Sequence, residues 1–101
     1  MNLTKYSLSK LAQIDLQQIA DYTLEQWNED QAKAYLTSIR QQFSLLMSFP
    51  AIGQDFESNT HKELRYWGHK SHLIFYVVRD DQELFIVRVF HKKQNYYAHF
   101  E

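Results

Sequence analysis

The side chains best suited to chemistry crowd into the C-terminal part of the chain. All five histidines lie in residues 61–101, with seven Lys or Arg against five Asp or Glu. Residues 1–60 carry the reverse balance, four Lys or Arg against seven Asp or Glu. An acidic half and a basic, histidine-bearing half are therefore expected to meet different partners. Within the basic half, Lys92 and Lys93 are followed by Tyr96, Tyr97 and Phe100. If exposed, this cationic and aromatic tail suits a protein partner or stacked bases; if ordered against helices, it is extra core. Arg88 interrupts the apolar run Leu84–Phe90, so it either faces solvent at an edge or joins a buried, satisfied network. Arg65 could pair with a carboxylate across a sheet or serve a ligand. His61, His69 and His72 lack a second pair of ligands at defined spacing, so no metal site is expected. His72, before an apolar run, reads as a structural hydrogen-bonding group.

Composition narrows the field. At 101 residues and 12.2 kDa the chain holds one expected domain, spanning 1–101 with 92–101 as a tail. Forty-five per cent of residues are hydrophobic and there are only two Gly and one Pro, which is a globular composition. The net charge of −1 is poor for a protein that blankets phosphates, so direct nucleic-acid binding is not expected. No cysteine is present, which excludes disulfides, Cys-based zinc sites, iron–sulfur clusters and a thiol nucleophile. No apolar run approaches the roughly 18 residues of a membrane span, and no signal-peptide pattern opens the chain. A soluble cytoplasmic protein without cofactor is the expectation.

These residues need elements to position them. Residues 2–7 alternate weakly and predict a short strand. After Ser9, a helical period runs through Ala12, Leu16, Ile19, Ala20, Thr23 and Trp27, with Asp15, Gln18, Asp21 and Glu25 on the opposite face. Asn28-Glu29-Asp30 is a helix-start signal, a capping side chain followed by two acids. Ala32, Tyr35, Leu36, Ile39, Phe43, Leu46 and Met47 continue a second helix, which Pro50 stops near Phe49. A polar loop follows from Pro50 to Lys62. The period then becomes two, predicting strands at Glu63–Trp67, Ser71–Arg79 and Glu83–Phe90 with turns at 68–70 and 80–82. Leu73–Val78 is apolar on both faces and belongs centrally. Trp27, Tyr35, Phe43, Phe75 and Phe85 are the expected aromatic core. The predicted fold is α+β, in the order β-α-α-β-β-β, with a helical hairpin on one face of a curved, mainly antiparallel sheet.

One ordered set of residues carries a family resemblance. It comprises Ala12-x-x-Asp15-Leu16-x-x-Ile19-x-x-Tyr22, Trp27, Gln31-Ala32-x-x-Tyr35, Pro50-Ala51-Ile52-Gly53, Leu64-Arg65, His72-x-Ile74-Phe75-Tyr76 and Val87-Arg88-Val89-Phe90-His91. From about residue 3 to residue 95 the chain resembles the ParE branch of the RelE/ParE superfamily of bacterial type II toxin–antitoxin toxins. The resemblance implies a small cytoplasmic toxin, a cognate ParD-like antitoxin that folds as it wraps the toxin, and DNA gyrase as target, trapped with cleaved DNA. Such an inhibitor acts by binding and needs no general base, nucleophile, metal or cofactor. Arg88 and His91 match the family's R-x-L-H strand end with Phe90 in place of Leu. Lys92-Lys93 stands where the family often has Met-Asp, and Gln54 where it often has Arg. The residues expected to carry toxicity are Arg65, Arg88, His91, Lys92, Lys93, Tyr96 and Tyr97.

The alternative is a RelE-like ribosome-dependent endoribonuclease. Metal-independent RNA cleavage needs a base, an acid and cations around the phosphorane, and Arg65, Arg88 and His91 are its candidates. Arg88 and His91 lie three apart in a strand-like segment, so they should leave on opposite faces unless a bulge falls between them. The 53–62 loop offers Asp55 and Glu57 instead of a basic run. A degenerate member that binds antitoxin without toxicity is the third possibility.

Overall fold

A computed structural model describes residues 3–58, 62–80 and 82–100. The chain runs β1 (Lys5–Leu8), α1 (Lys10–Gln26), α2 (Glu29–Ser48), β2 (Gln54–Asp55), β3 (Arg65–His69), β4 (His72–Arg79) and β5 (Glu83–His91), then a single 3₁₀ turn, Tyr96–His99. The five strands form one sheet in the order β1-β5-β4-β3-β2. Three pairings are antiparallel and β1 runs parallel to β5.

Both helix starts are set by single side chains. Ser9 Oγ accepts from the Ala12 amide and donates to the Val87 carbonyl 2.6 Å away, so it caps α1 and ties it to β5. Asn28 Oδ1 accepts from the Gln31 amide, with Glu29 and Asp30 in the first turn of α2. Pro50 ends α2 as expected, with Phe49 outside the helical region. Loop 50–53 is then pinned to the sheet. Tyr76, fully buried on β4, donates to the Pro50 carbonyl at 2.7 Å and accepts from the Gly53 amide at 3.0 Å. A Cβ at residue 53 would collide with that hydroxyl and lie 2.9 Å from the Tyr66 carbonyl oxygen, so only glycine fits.

Each face of the sheet carries its own core. On the helix face, Ala12, Leu16 and Ile19 of α1 and Ile39, Phe43 and Leu46 of α2 pack on Ile74, Tyr76, Leu84, Ile86 and Val89. On the far face, Phe56, Leu64, Leu73, Phe75 and Phe90 form a second cluster closed by Phe100. The tail is therefore ordered, but against the sheet rather than against the helices, and extra core forms where none was placed.

A bulge in β5 lets both cores exist. Phe75 pairs with Arg88 and Tyr76 with Ile86, leaving Val87 unmatched. The extra residue inverts the alternation. Leu84 and Ile86 face the helices before it and Val89 after it, while Phe90 reaches the far cluster. Other departures from the sequence reading are local. β2 arises inside the expected loop, because Gln54 and Asp55 pair with Tyr66 and Arg65. β3 starts two residues late and runs through His69, and the turn tightens to Lys70-Ser71 with Lys70 at φ 52°. Trp27, expected in the core, is 59% exposed at the end of α1. Phe85 is half-buried, on the far side of β5, with the Arg79 guanidinium 3.6 Å from its ring centre.

Candidate functional site

A largely apolar groove lies between the helical hairpin and the end of the sheet. It has a volume of about 600 Å³ and runs between the C-terminal half of α1 (Gln18, Ile19, Tyr22), the N-terminal half of α2 (Gln31, Ala34, Tyr35) and the floor made by Val89 and His91. Trp27 walls one end and Lys70, Ser71, His72 and Gln94 the other. Leu11 and Ile14, each about half exposed, extend the apolar side of α1 toward its N-terminus. Apolar walls with a few polar groups at one end suit a helix laid in a groove.

The polar end is a network of imidazoles. Tyr35 Oη and His72 Nδ1 share a 2.6 Å hydrogen bond, and the His72 ring meets His91 edge-on with centroids 5.3 Å apart. His69 Nε2 lies 2.9 Å from Ser38 Oγ. Burial pushes the His72 pKa down to about 4, helped by the neighbouring His91 and His69. His69 is lowered as well, by burial first and then by Lys70 and Lys92. His72 is thus neutral at pH 7 and acts as a structural hydrogen-bonding group, as its sequence setting suggested. Among the described residues no group of three His, Cys, Asp or Glu side chains could hold a metal ion; His61 lies outside them.

The residues singled out from sequence do not converge. Arg65 donates to the Gly53 carbonyl at 2.8 Å and faces Asp55 at 3.4 Å, beside the loop after α2. That is a contact across neighbouring strands. His91 lies opposite His72 and Arg65 opposite Tyr76 in the ladder, four residues or about 13 Å apart along β4. Arg88 is on the other face, opposite Phe75 and 4.3 Å from the Phe90 ring, and its guanidinium turns round the strand edge to α1. There it grips Asp15 through two hydrogen bonds, 2.8 and 2.9 Å. The bulge falls before Arg88 rather than between Arg88 and His91, so the two side chains do leave on opposite faces. Lys92 and Lys93 are exposed past β5. Tyr96 and Tyr97 stack at 5.0 Å on the far side, Tyr96 half-buried and Tyr97 58% exposed.

Two further residues, Asp15 and Gln94, hold the edge of β5. Asp15, assigned to the outer face of α1, is only 7% exposed. Its carboxylate accepts from Val89 N–H at 2.9 Å as well as from Arg88. β1 ends opposite Ile86, so beyond that point side chains take over the edge of β5. Ser9 Oγ serves the Val87 carbonyl, Asp15 the Val89 amide and Gln94 Oε1 the His91 amide. Asp15 was detectable from its place one residue before Leu16 and four before Ile19, at the border of the apolar stripe. Gln94 carries no such signal. The Arg88 alternative is resolved in favour of the buried network, with side-chain exposures of 16% and 8% for Arg88 and Asp15.

No helix among the described residues is long and apolar enough to cross a membrane. The family model of the ParE toxin of type II toxin–antitoxin systems matches residues 6–96. Toxin ParE1 of Caulobacter vibrioides is 33% identical over 94 residues, covering 93% of this chain and 95% of the relative. Toxin ParE1 of Mycobacterium tuberculosis is 30% identical over 92 residues, covering 91% and 93%. The fold is similar to that in the chromosomal ParDE system from P. aeruginosa, with a TM-score of 0.73 at 18% identity over 88% of this chain and 95% of that one. It is also similar to the toxin–antitoxin complex RelBE2 from Mycobacterium tuberculosis, with a TM-score of 0.64 at 15% identity over 88% and 98%.

Proposed function

The chain belongs to the ParE toxin family of type II toxin–antitoxin systems, and from that premise we propose that it stops growth by binding DNA gyrase and is held silent by a cognate antitoxin. The observation that carries the binding reading is the dispersal of Arg65, Arg88 and His91. A phosphodiester-cleaving site needs its base, acid and cations around one phosphate. Here Arg65 sits by loop 50–55, His91 lies on the groove floor and Arg88 is spent on Asp15. Inhibition by binding needs no such convergence. The target-directed surface is the tail side, where Lys92, Lys93 and the Tyr96–Tyr97 stack put cations and aromatics in reach of a protein partner. The antitoxin fits the opposite side, an amphipathic segment that folds into the groove between hairpin and sheet end.

The deciding experiment adds the purified chain to gyrase and relaxed plasmid. Lost supercoiling or accumulated linear DNA is expected, and the antitoxin should abolish it. Folded protein without effect on gyrase would overturn the target. Messenger-RNA profiling after induction would then separate a ribonuclease from a toxin-like protein that poisons nothing.

A further inference from the structure

The turn after β5 joins the groove to the tail. His91 lines the groove floor, and its Nδ1 accepts from the Lys93 amide at 3.1 Å. Gln94 lines the groove end, and its Oε1 accepts from the His91 amide at 2.7 Å. The same residue's backbone closes the turn: its N–H donates to the His91 carbonyl at 3.0 Å, and its own carbonyl accepts from the Tyr96 amide at 2.9 Å. Farther on, Phe100 is buried against Phe75 at 4.8 Å, and Ser58 Oγ donates to its carbonyl at 2.6 Å. The tail is thus clasped at its start by Gln94 and anchored at its end by Phe100, with Tyr96 and Tyr97 held between. One carboxamide is a wall of the groove and the clasp of the tail.

We propose that Gln94 is a positioning residue for Tyr96 and Tyr97, and that a helix seated in the groove unfastens the tail by drawing this carboxamide away from His91. The inference rests on the reading of the groove as antitoxin-bound and the tail as target-directed. A ligand shifts a conformational balance only through contacts that differ between the two arrangements. Gln94 supplies that difference, because a helix that turns the carboxamide toward itself carries Oε1 out of reach of the His91 amide. Neutralisation would then disarm the distant target surface as well as cover the groove.

Residue-resolved hydrogen exchange tests this on the full chain. In Gln94→Ala the Tyr96 and Phe100 amides should exchange about tenfold faster, while amides in the middle of α1 keep their rates. Gln94→Glu still offers an oxygen to the His91 amide and should restore protection, and it should restore any gyrase inhibition that Gln94→Ala loses. Adding a purified cognate antitoxin should speed the same two amides in the wild type and add nothing in Gln94→Ala. Wild-type tail rates in Gln94→Ala overturn the positioning role, and slower tail exchange in the complex overturns the coupling. If no complex forms, the antitoxin reading falls and the coupling with it, while Gln94→Ala against Gln94→Glu still decides the positioning role.

Discussion

The two faces of the sheet are built to different rules. The helix face is covered by two long helices whose apolar side chains come from many points along the sequence, and Phe43 and Ile39 are completely buried. The far face is covered by loop 56–58, Leu64 and a tail that ends in one buried anchor, Phe100. Removing a helix would unfold the protein; lifting the tail would expose only a patch of aromatic rings. The first face is expected to carry more of the stability, and the second to tolerate more change before the fold is lost. The surfaces proposed for antitoxin and target follow the same division, one beside the helices and one on the tail.

Matched truncations break this comparison if it is wrong. Phe43→Ala empties a site closed on all sides and should cost about 3–5 kcal/mol in urea denaturation. Asp15→Ala should cost a similar amount, about 3–5 kcal/mol, because it leaves the Arg88 guanidinium and the Val89 amide without an acceptor. Phe100→Ala should cost less, about 1–2 kcal/mol, since the tail can undock and cap the loss. Equal penalties at Phe43 and Phe100 would show that the far cluster is part of the global core.

A smaller effect comes from pH. His72 is held near pKa 4 in the fold, against 6.5 for an ordinary imidazole. The unfolded chain therefore binds a proton at this position first as pH falls. The stability contributed by keeping His72 neutral is full above about pH 6.5 and is lost progressively toward pH 4. Because the side chain is only partly buried, the loss is discounted to about 1 kcal/mol. His72→Gln, which keeps a hydrogen-bonding group beside Tyr35, should flatten that part of the wild-type pH profile. An unchanged profile would detach the imidazole network from stability.

What the sequence made legible follows from how local each signal is. Ser9, Asn28 and Pro50 act on their own turn of chain, and three of the four ends of α1 and α2 are readable from them. The apolar run Leu73–Val78 marked the central strand for the same reason. The bulge at Val87 was not readable, because it answers to the far cluster's need for Phe90, a demand set by residues as distant as Phe56 and Phe100. Arg88 stood out in an apolar strand, whereas Asp15 fell in with the polar face of α1, and their pairing depends on β1 stopping opposite Ile86. Trp27 keeps the helical period of the core and still lies exposed, as the C-cap residue just beyond the last turn of α1. The three candidate nuclease residues could be listed from type alone; only the strand register shows that they point to different places.

The parallel pairing of β1 with β5 has a consequence for the order of events during synthesis. Lys5 lies opposite Glu83 and Leu8 opposite Ile86, so β1 waits for β5 before it has a neighbour in the sheet. Until β5 leaves the ribosome, the surface that covers the apolar side of α1 lacks Leu84, Ile86 and Val89, and neither His91 on the groove floor nor the tail exists. Contacts of such sequence separation form late. A nascent chain therefore acquires the surface that an antitoxin would grasp and the one that a target would meet at the same moment, once β5 and the tail have emerged.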